Sequence, residues 1–333
     1  MPRDFRFDIA RAVCMCYIIA VLHLSQYFGL QYYIYGTYIG RLITFSCLGL
    51  FTFMSGYLIG KKNDFTSSSI AHIFKFYKKR FIRIYPLFFL ATLLLYIIGF
   101  NGLIPSVYGL LGIASFVVRQ PKTLWYVSML IIFYLLTPLI NRNSLGYKTI
   151  ISGLLVLLFG FLKLFIQVDA RFIFNLFFYC LGLIMATVDC DFLSKTDGSN
   201  QRIHLLTVFF YVTLILITNR FFSNSITMLA VGALGVAALF SLSCLLSKIK
   251  NQSFEKTVGF VSYASMVCYM FHRFYYWAGF KVFSPDSIVP KIICLISVFT
   301  IGLVVSFFIQ KSYDHIIQKV NSSNLELPHR PIV

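Results

Sequence analysis

Two histidines and one run of cations are the side chains of this sequence best placed to do chemistry. His23 and His272 both fall inside apolar stretches, where an ionisable group is costly enough to be a functional suspect by default. An imidazole, with an ordinary pKa of about 6.5, takes up and returns a proton near neutral pH. Carboxylates do not compete for that role: the chain has 11 Asp and Glu residues, and none lies in the middle of an apolar stretch. Acid–base chemistry in the core therefore falls to a histidine, although a lone histidine among packed helices also serves simply to bond a neighbour. Asp8 and Arg11 stand near the start of the stretch that holds His23, and Arg41 near the start of the next.

The cations gather at residues 75–86, KFYKKRFIRIYP, where Lys75, Lys78, Lys79, Arg80 and Arg83 fall within nine positions. Arg80 and Arg83 are three apart and share a helical face, on which two guanidinium forks suit the oxygens of a phosphate. Basic residues beside a membrane span also set its orientation and touch lipid headgroups, so charge alone leaves both readings open. Tyr85 precedes Pro86 and is biased away from helix, so the surface helix is expected to break there and present a rigid basic corner. A phosphorylated soluble molecule fits such a corner.

The elements that must position these groups are membrane spans. Hydrophobic residues make up 59% of the 333 and charged residues 12%, with a mean hydropathy of +0.80; soluble domains carry roughly 25% charged residues. The formal charge of +18 does not point to nucleic acid, because the cations cluster in connectors and at span ends, where headgroups and topology account for them. Eleven apolar segments are expected, at 7–28, 38–60, 84–99, 104–118, 125–140, 147–167, 172–187, 204–219, 224–247, 257–280 and 288–310. They read as helices, since a barrel would show short alternating segments. Segment 104–118 is short, holds Pro105, Gly109 and Gly112, and is expected to be re-entrant or to lie on the surface.

The expected fold is therefore an all-α integral membrane protein of about ten transmembrane helices, with both termini and the basic connectors on the cytoplasmic side. One domain covers 1–333, with its core at about 6–310, an amphipathic cytoplasmic connector at 61–83 and a cytoplasmic tail at 312–333. In the connector, Ile70, Phe74, Tyr77, Phe81 and Ile84 recur at helical spacing opposite Lys75, Lys78, Lys79 and Arg83, and Ser67, Ser68 or Ser69 is placed to cap the helix. The first segment lacks a small-residue cleavage site and is expected to be retained. Cys14, Cys16, Cys47, Cys180, Cys244, Cys268 and Cys294 sit in apolar runs without metal-ligand spacing and read as packing residues; no metal site is expected.

Five pieces of the sequence resemble, in order, the motifs of the membrane acyltransferase 3 family. They are Asp8-Ile-Ala-Arg11 leading to His23, Phe53-Met-Ser-Gly-Tyr57, Arg80-Phe-Ile-Arg83-Ile-Tyr-Pro86, Trp125-Tyr-Val-Ser128 with Tyr134 and Pro138, and Ser265-Met-Val-Cys-Tyr269-Met-Phe-His272. The resemblance implies a bacterial inner-membrane enzyme that moves an acetyl group from acetyl-CoA to a hydroxyl of a cell-surface or lipid-linked carbohydrate. It implies His23 as the catalytic histidine, either a general base on the acceptor or a transient carrier of the acetyl group, with Arg11 as its motif partner. Arg80 and Arg83, with Lys79 and Tyr85 beside them, would hold the donor's phosphorylated head. Ser55, Tyr57, Trp125, Tyr134 and Asp8 would shape the channel, and His272 would either donate to a developing oxyanion or bond another helix. The implied partners are the glycan acceptor and the bilayer.

Two features depart from the family pattern. The family commonly places ten residues between its arginine and histidine; here Arg11 and His23 have eleven between them, a further roughly 100° of rotation on an α-helix. Either a π-bulge between Val13 and Leu22 restores the phase or Arg11 faces another partner. Leu130 stands where some members carry a glutamate. A transporter or flippase of an anionic or glycolipid substrate is the rival reading, but such proteins commonly show internal repeats and midplane ionisable groups, and neither a repeat nor a midplane acid is evident here.

Overall fold

The computed structural model describes residues 4–23, 37–62, 65, 69–117, 120–142, 144–188, 198–221, 225–283 and 287–323. All regular structure among them is helical. Helix α1, Phe5–Cys16, opens at Asp4, whose carboxylate accepts the backbone N–H of Arg6 at 3.0 Å. It runs on directly into a π-helical segment, Tyr17–His23. Each π-helical step turns the chain less than an α-helical one, so this segment takes back roughly the 100° that the additional residue between Arg11 and His23 introduces. Of the first expected span, residues 24–28 lie outside the described residues.

The chain continues through α2 (Tyr38–Lys62), α3 (Ile70–Ile97), the short α4 (Leu103–Leu110), a 3₁₀ turn (Ala114–Phe116), α5 (Trp125–Ile140), α6 (Leu145–Leu162) and α7 (Ala170–Met185). It ends with α8 (Gly198–Phe221), α9 (Ser225–Leu246), α10 (Gln252–Phe283) and α11 (Ile288–Ser323). Four segments are long and apolar enough to cross a membrane: Tyr38–Lys62, Ile70–Ile97, Leu145–Leu162 and Val289–Lys319. Helix α4 is not, since eight residues rise roughly 12 Å against a hydrocarbon core of about 30 Å. Large apolar side chains face outward along α6, α8 and α11; Leu157, Phe209 and Ile293 are 70%, 69% and 60% exposed. Such a surface is stable against lipid, and the chain is a membrane protein.

Helix α3 corrects one expectation. Ser69 caps it, its hydroxyl accepting from the backbone N–H of His72; Ser67 and Ser68 lie outside the described residues. The amphipathic connector and the following span are a single helix that passes straight through Tyr85 and Pro86. A proline in a helix removes the N–H that would bond the carbonyl four residues back, which here is Ile82. The hydroxyl of Tyr313 on α11 donates to that carbonyl, so a neighbouring helix supplies what Pro86 lacks, and no break is required. Along the connector Ile70, Phe74 and Phe81 are exposed, while Phe76 is buried against the bundle. Residues 312–323, expected in a tail, extend α11 as helix.

The tightest packing joins α2 to α7. A Cβ on Gly56 would come within 2.2 Å of the Tyr179 carbonyl oxygen, and one on Gly182 within 2.2 Å of the Phe53 carbonyl oxygen. Two reciprocal glycines thus let these backbones touch, as small residues do where helices associate without a hydrophobic drive. Around this seam the main core gathers Phe133, Phe172, Phe178 and Tyr179. Helix α1 lies against α10 and α9, and α10 pairs with α11.

Candidate active site

At one end of the bundle the π-helical segment finishes and α2, α5 and α7 begin, and together with α10 at Tyr269 and Arg273 they line a cavity of about 760 Å³. Its wall includes His23, Arg41, Lys122, Trp125, Arg171 and Arg273, together with Tyr269 and Thr123. A volume of this order accommodates a small-molecule or sugar-sized ligand.

His23 is brought to the wall by the π-helical segment and meets His272 of α10. Nδ1 of His23 lies 2.6 Å from Nε2 of His272, with 2° between the ring planes and 4.7 Å between centroids. The nitrogens are closer than the centroids by about two ring radii, so the rings meet edge to edge in one plane. On its other side, Nδ1 of His272 is 2.7 Å from the Tyr269 carbonyl oxygen. A carbonyl only accepts, so His272 donates from Nδ1, and in the neutral ring its Nε2 carries the lone pair. His23 then donates from its own Nδ1 to His272. Its Nε2, for which no partner occurs among the described residues, is left as the basic nitrogen of a ring that lines the cavity. His272 is 1% exposed and does not line the cavity; its ring meets His23, which does.

The same turn of α10 holds down the loop before α5. Tyr269 donates its hydroxyl to the Thr123 carbonyl at 2.7 Å, and Nε of Arg273 donates to Thr123 Oγ1 at 3.1 Å. Thr123 has φ of 70°, a conformation that costs a β-branched residue of order 1–3 kcal/mol and persists only where its surroundings enforce it. Across the cavity, the guanidinium of Arg171 sits 4.1 Å from the centroid of the Trp125 ring and donates to Gln120 Oε1 at 2.7 Å. Gln120 in turn donates to Asp169 at 2.8 Å, and Asp169 also accepts from Arg171. Burial alone would raise the Asp169 carboxyl, but the hydrogen bonds and charge of Arg171, with the bond from Gln120, outweigh it and hold it below the usual carboxylate range.

The remaining expected site residues lie elsewhere. Arg11 and His23 are twelve steps apart, at most roughly 18 Å along the helix, and do not touch. Arg11 is 3.8 Å from Asp8, whose buried carboxylate accepts from Ser262 Oγ at 2.7 Å and so ties α1 to α10. At the opposite end of the bundle, Arg80 leans inward, 5.5 Å from the Phe76 ring centroid and 5.6 Å from that of Tyr134. Its Nε is buried with no hydrogen-bond partner among the described residues. Tyr134 bonds Ser55 Oγ at 3.0 Å, and Tyr57 stacks on Phe7 at 5.5 Å. Lys79 and Arg83 are exposed. Tyr85 stacks on Phe81 and donates to the Leu110 carbonyl, away from Arg80. Of the two basic groups and two histidines, the fold brings together the histidines; Arg80, Arg83, Ser55, Tyr57 and Tyr134 do not line the histidine cavity. Leu130 packs against the main core.

Arg273, Arg171, Lys122 and Gln120 complete the cavity without having been singled out in the sequence. Arg273 carried a readable signal, a charge next to His272 inside an apolar run. Lys122 and Arg171 carried none, because cations at the ends of spans are ordinary.

A family model described as an acyltransferase domain matches residues 4–310. No curated protein and no solved structure matches the chain.

Proposed function

Because the chain belongs to the membrane acyltransferase 3 family and is an acyltransferase, we propose that it transfers an acetyl group from acetyl-CoA to a hydroxyl of a cell-surface or lipid-linked carbohydrate. The observation that carries this reading is the hydrogen-bond chain from the Tyr269 carbonyl through His272 to His23, which leaves Nε2 of His23 with its lone pair beside the cavity. A base so oriented, with a third group setting its tautomer, is what activation of a hydroxyl requires. Nε2 takes the proton of the acceptor hydroxyl, the oxygen forms a bond to the acetyl carbonyl carbon, the carbon–sulfur bond breaks, and the thiolate of CoA takes the proton back from the imidazolium.

In this reading the ten long helical segments each cross an inner membrane, both termini are cytoplasmic, and the histidine cavity faces the outer side. The donor's phosphorylated head lies at the basic end by Arg80 and Arg83. The distance its arm must bridge is set by α5, on which Trp125 lines the cavity and Tyr134 meets Arg80, roughly 13 Å apart along the axis and half a turn apart around it. Arg11, paired with Asp8, supports the reading as a positioning residue for α1.

Purified protein supplied with radiolabelled acetyl-CoA and a panel of glycans tests the proposal. Label on a glycan, lost in His23→Ala protein that still inserts in the membrane, supports it. Full transfer by that variant refutes it.

A further inference from the structure

The histidine cavity is walled by four cations from four separate elements: Arg41 from α2, Lys122 from the loop before α5, Arg171 from α7 and Arg273 from α10. No carboxylate is among the described residues that line it. Asp169, which pairs with Nε and Nη2 of Arg171, lines a smaller neighbouring cavity. The cations are graded in depth, with Arg41 and Lys122 exposed, Arg171 half-buried and Arg273 5% exposed. On the orientation proposed above, this is the side from which the positive-inside rule depletes Lys and Arg, so topology does not account for them. Headgroup contact does not either, since cations serving lipid would face the perimeter of the bundle rather than converge on one cavity beside His23. Arg41 and Lys122 bring exposed positive charge to the cavity that already holds Arg171 and Arg273, and a ligand of opposite sign relieves the repulsion among them.

We infer that the acceptor is anionic: the sugar presented to His23 carries a carboxylate or a phosphate within reach of Arg41, Lys122, Arg171 and Arg273. The inference rests on the acyl-transfer reading for its reaction and on the cavity wall for its charge. Trp125 and Tyr269 add aromatic surface to the wall; Arg273 is held through Nε by Thr123, and Arg171 through Nε and Nη2 by Asp169 and Gln120, so both guanidiniums bring positive charge in fixed positions to the wall. The exposed Arg41 and Lys122 draw the anion in.

Matched acceptors test this. Transfer from radiolabelled acetyl-CoA is measured for a uronate-containing oligosaccharide and its methyl ester, and for a phosphorylated oligosaccharide and its dephosphorylated partner. One anionic member is expected to exceed its neutral partner at least roughly tenfold in kcat/KM, and the member that does so separates carboxylate from phosphate. In Arg41→Gln/Lys122→Gln protein the KM for that acceptor rises roughly tenfold, the KM for acetyl-CoA is unchanged, and Lys122→Arg restores the preference lost in Lys122→Gln. Equal turnover of charged and neutral partners, or a rise in KM for acetyl-CoA instead of the acceptor, overturns the inference while leaving acyl transfer standing. If no acceptor is labelled, it is acyl transfer to these glycans that fails, and binding reads the charge separately. In Trp277→Phe protein Trp125 is the sole tryptophan. Its fluorescence should change with the anionic oligosaccharide, not with the ester, and not in the Arg41→Gln/Lys122→Gln background. An identical response to both overturns the inference.

Discussion

His23 and His272 meet nitrogen to nitrogen, 2.6 Å apart and nearly coplanar, as one hydrogen-bonded unit anchored on a backbone carbonyl. The anchor is what distinguishes the two rings. His272 is committed to Tyr269 and His23, whereas His23 retains one nitrogen toward the cavity.

Substitution should separate these roles. His23→Ala is expected to lower kcat by roughly 10²–10⁴, the usual contribution of a positioned acid–base group. His272→Ala should lower it less, because the base survives without its tautomer control, and should also shift the pH profile of kcat/KM. A His272 variant with an unchanged pH profile would make it a packing residue.

Arg80 is predicted to act on the donor. Arg80→Lys removes the planar fork and should raise the KM for acetyl-CoA roughly tenfold without altering the acceptor KM. Arg83, exposed beside it, should give the same direction with a smaller effect. An Arg80→Lys enzyme that binds acetyl-CoA normally would remove the donor from the basic end.

The link from Tyr313 to Ile82 should depend on Pro86. Tyr313→Phe leaves the Ile82 carbonyl without its donor and should cost about 1–3 kcal/mol. In a Pro86→Ala background the restored N–H satisfies that carbonyl within the helix, and the same substitution should cost far less. Thermal unfolding of the four proteins of this cycle in detergent measures the coupling; additive effects would contradict it.

Glycines that look alike in sequence should differ sharply. Gly56→Ala and Gly182→Ala drive a methyl into a facing backbone and should destabilise by about 1–3 kcal/mol. A methyl added at Gly153 on α6 would meet nothing within 4 Å, so Gly153→Ala should be neutral or stabilise by up to about 1 kcal/mol through helix propensity. Melting temperatures of the three variants decide the matter.

Asp169 sets an acid limit on the cavity rim. A carboxyl held below its ordinary range in the fold contributes stability above its unfolded pKa of about 3.9, and that contribution fades as pH falls through this value toward the folded one. The melting temperature of the wild type should therefore hold from neutral pH down to about 4 with respect to this group and drop below it. Asp169→Asn should melt lower at neutral pH and show a shallower acid drop. Identical acid profiles would mean the clamp with Arg171 and Gln120 adds nothing.

Local composition determined the class of this protein and the addresses of its helices. Apolar runs mark helices because the backbone must satisfy itself in lipid, and the expected 125–140 segment coincides with α5. The brevity of α4, a serine cap at 67–69 and a phase conflict between Arg11 and His23 were also legible, because each depends on neighbours along the chain; that Ser69 is a cap and that a π-helical segment occurs while Arg11 faces Asp8 came from the structure. What only the tertiary structure decided are the relationships across it. Residues 249 apart in sequence become one hydrogen-bonded pair, Tyr313 supplies the donor that a proline on another helix lacks, and four cations from four elements line one cavity. Sequence periodicity reports which face of a helix is apolar but not which partner that face meets, and the chemistry of this site lies in those meetings.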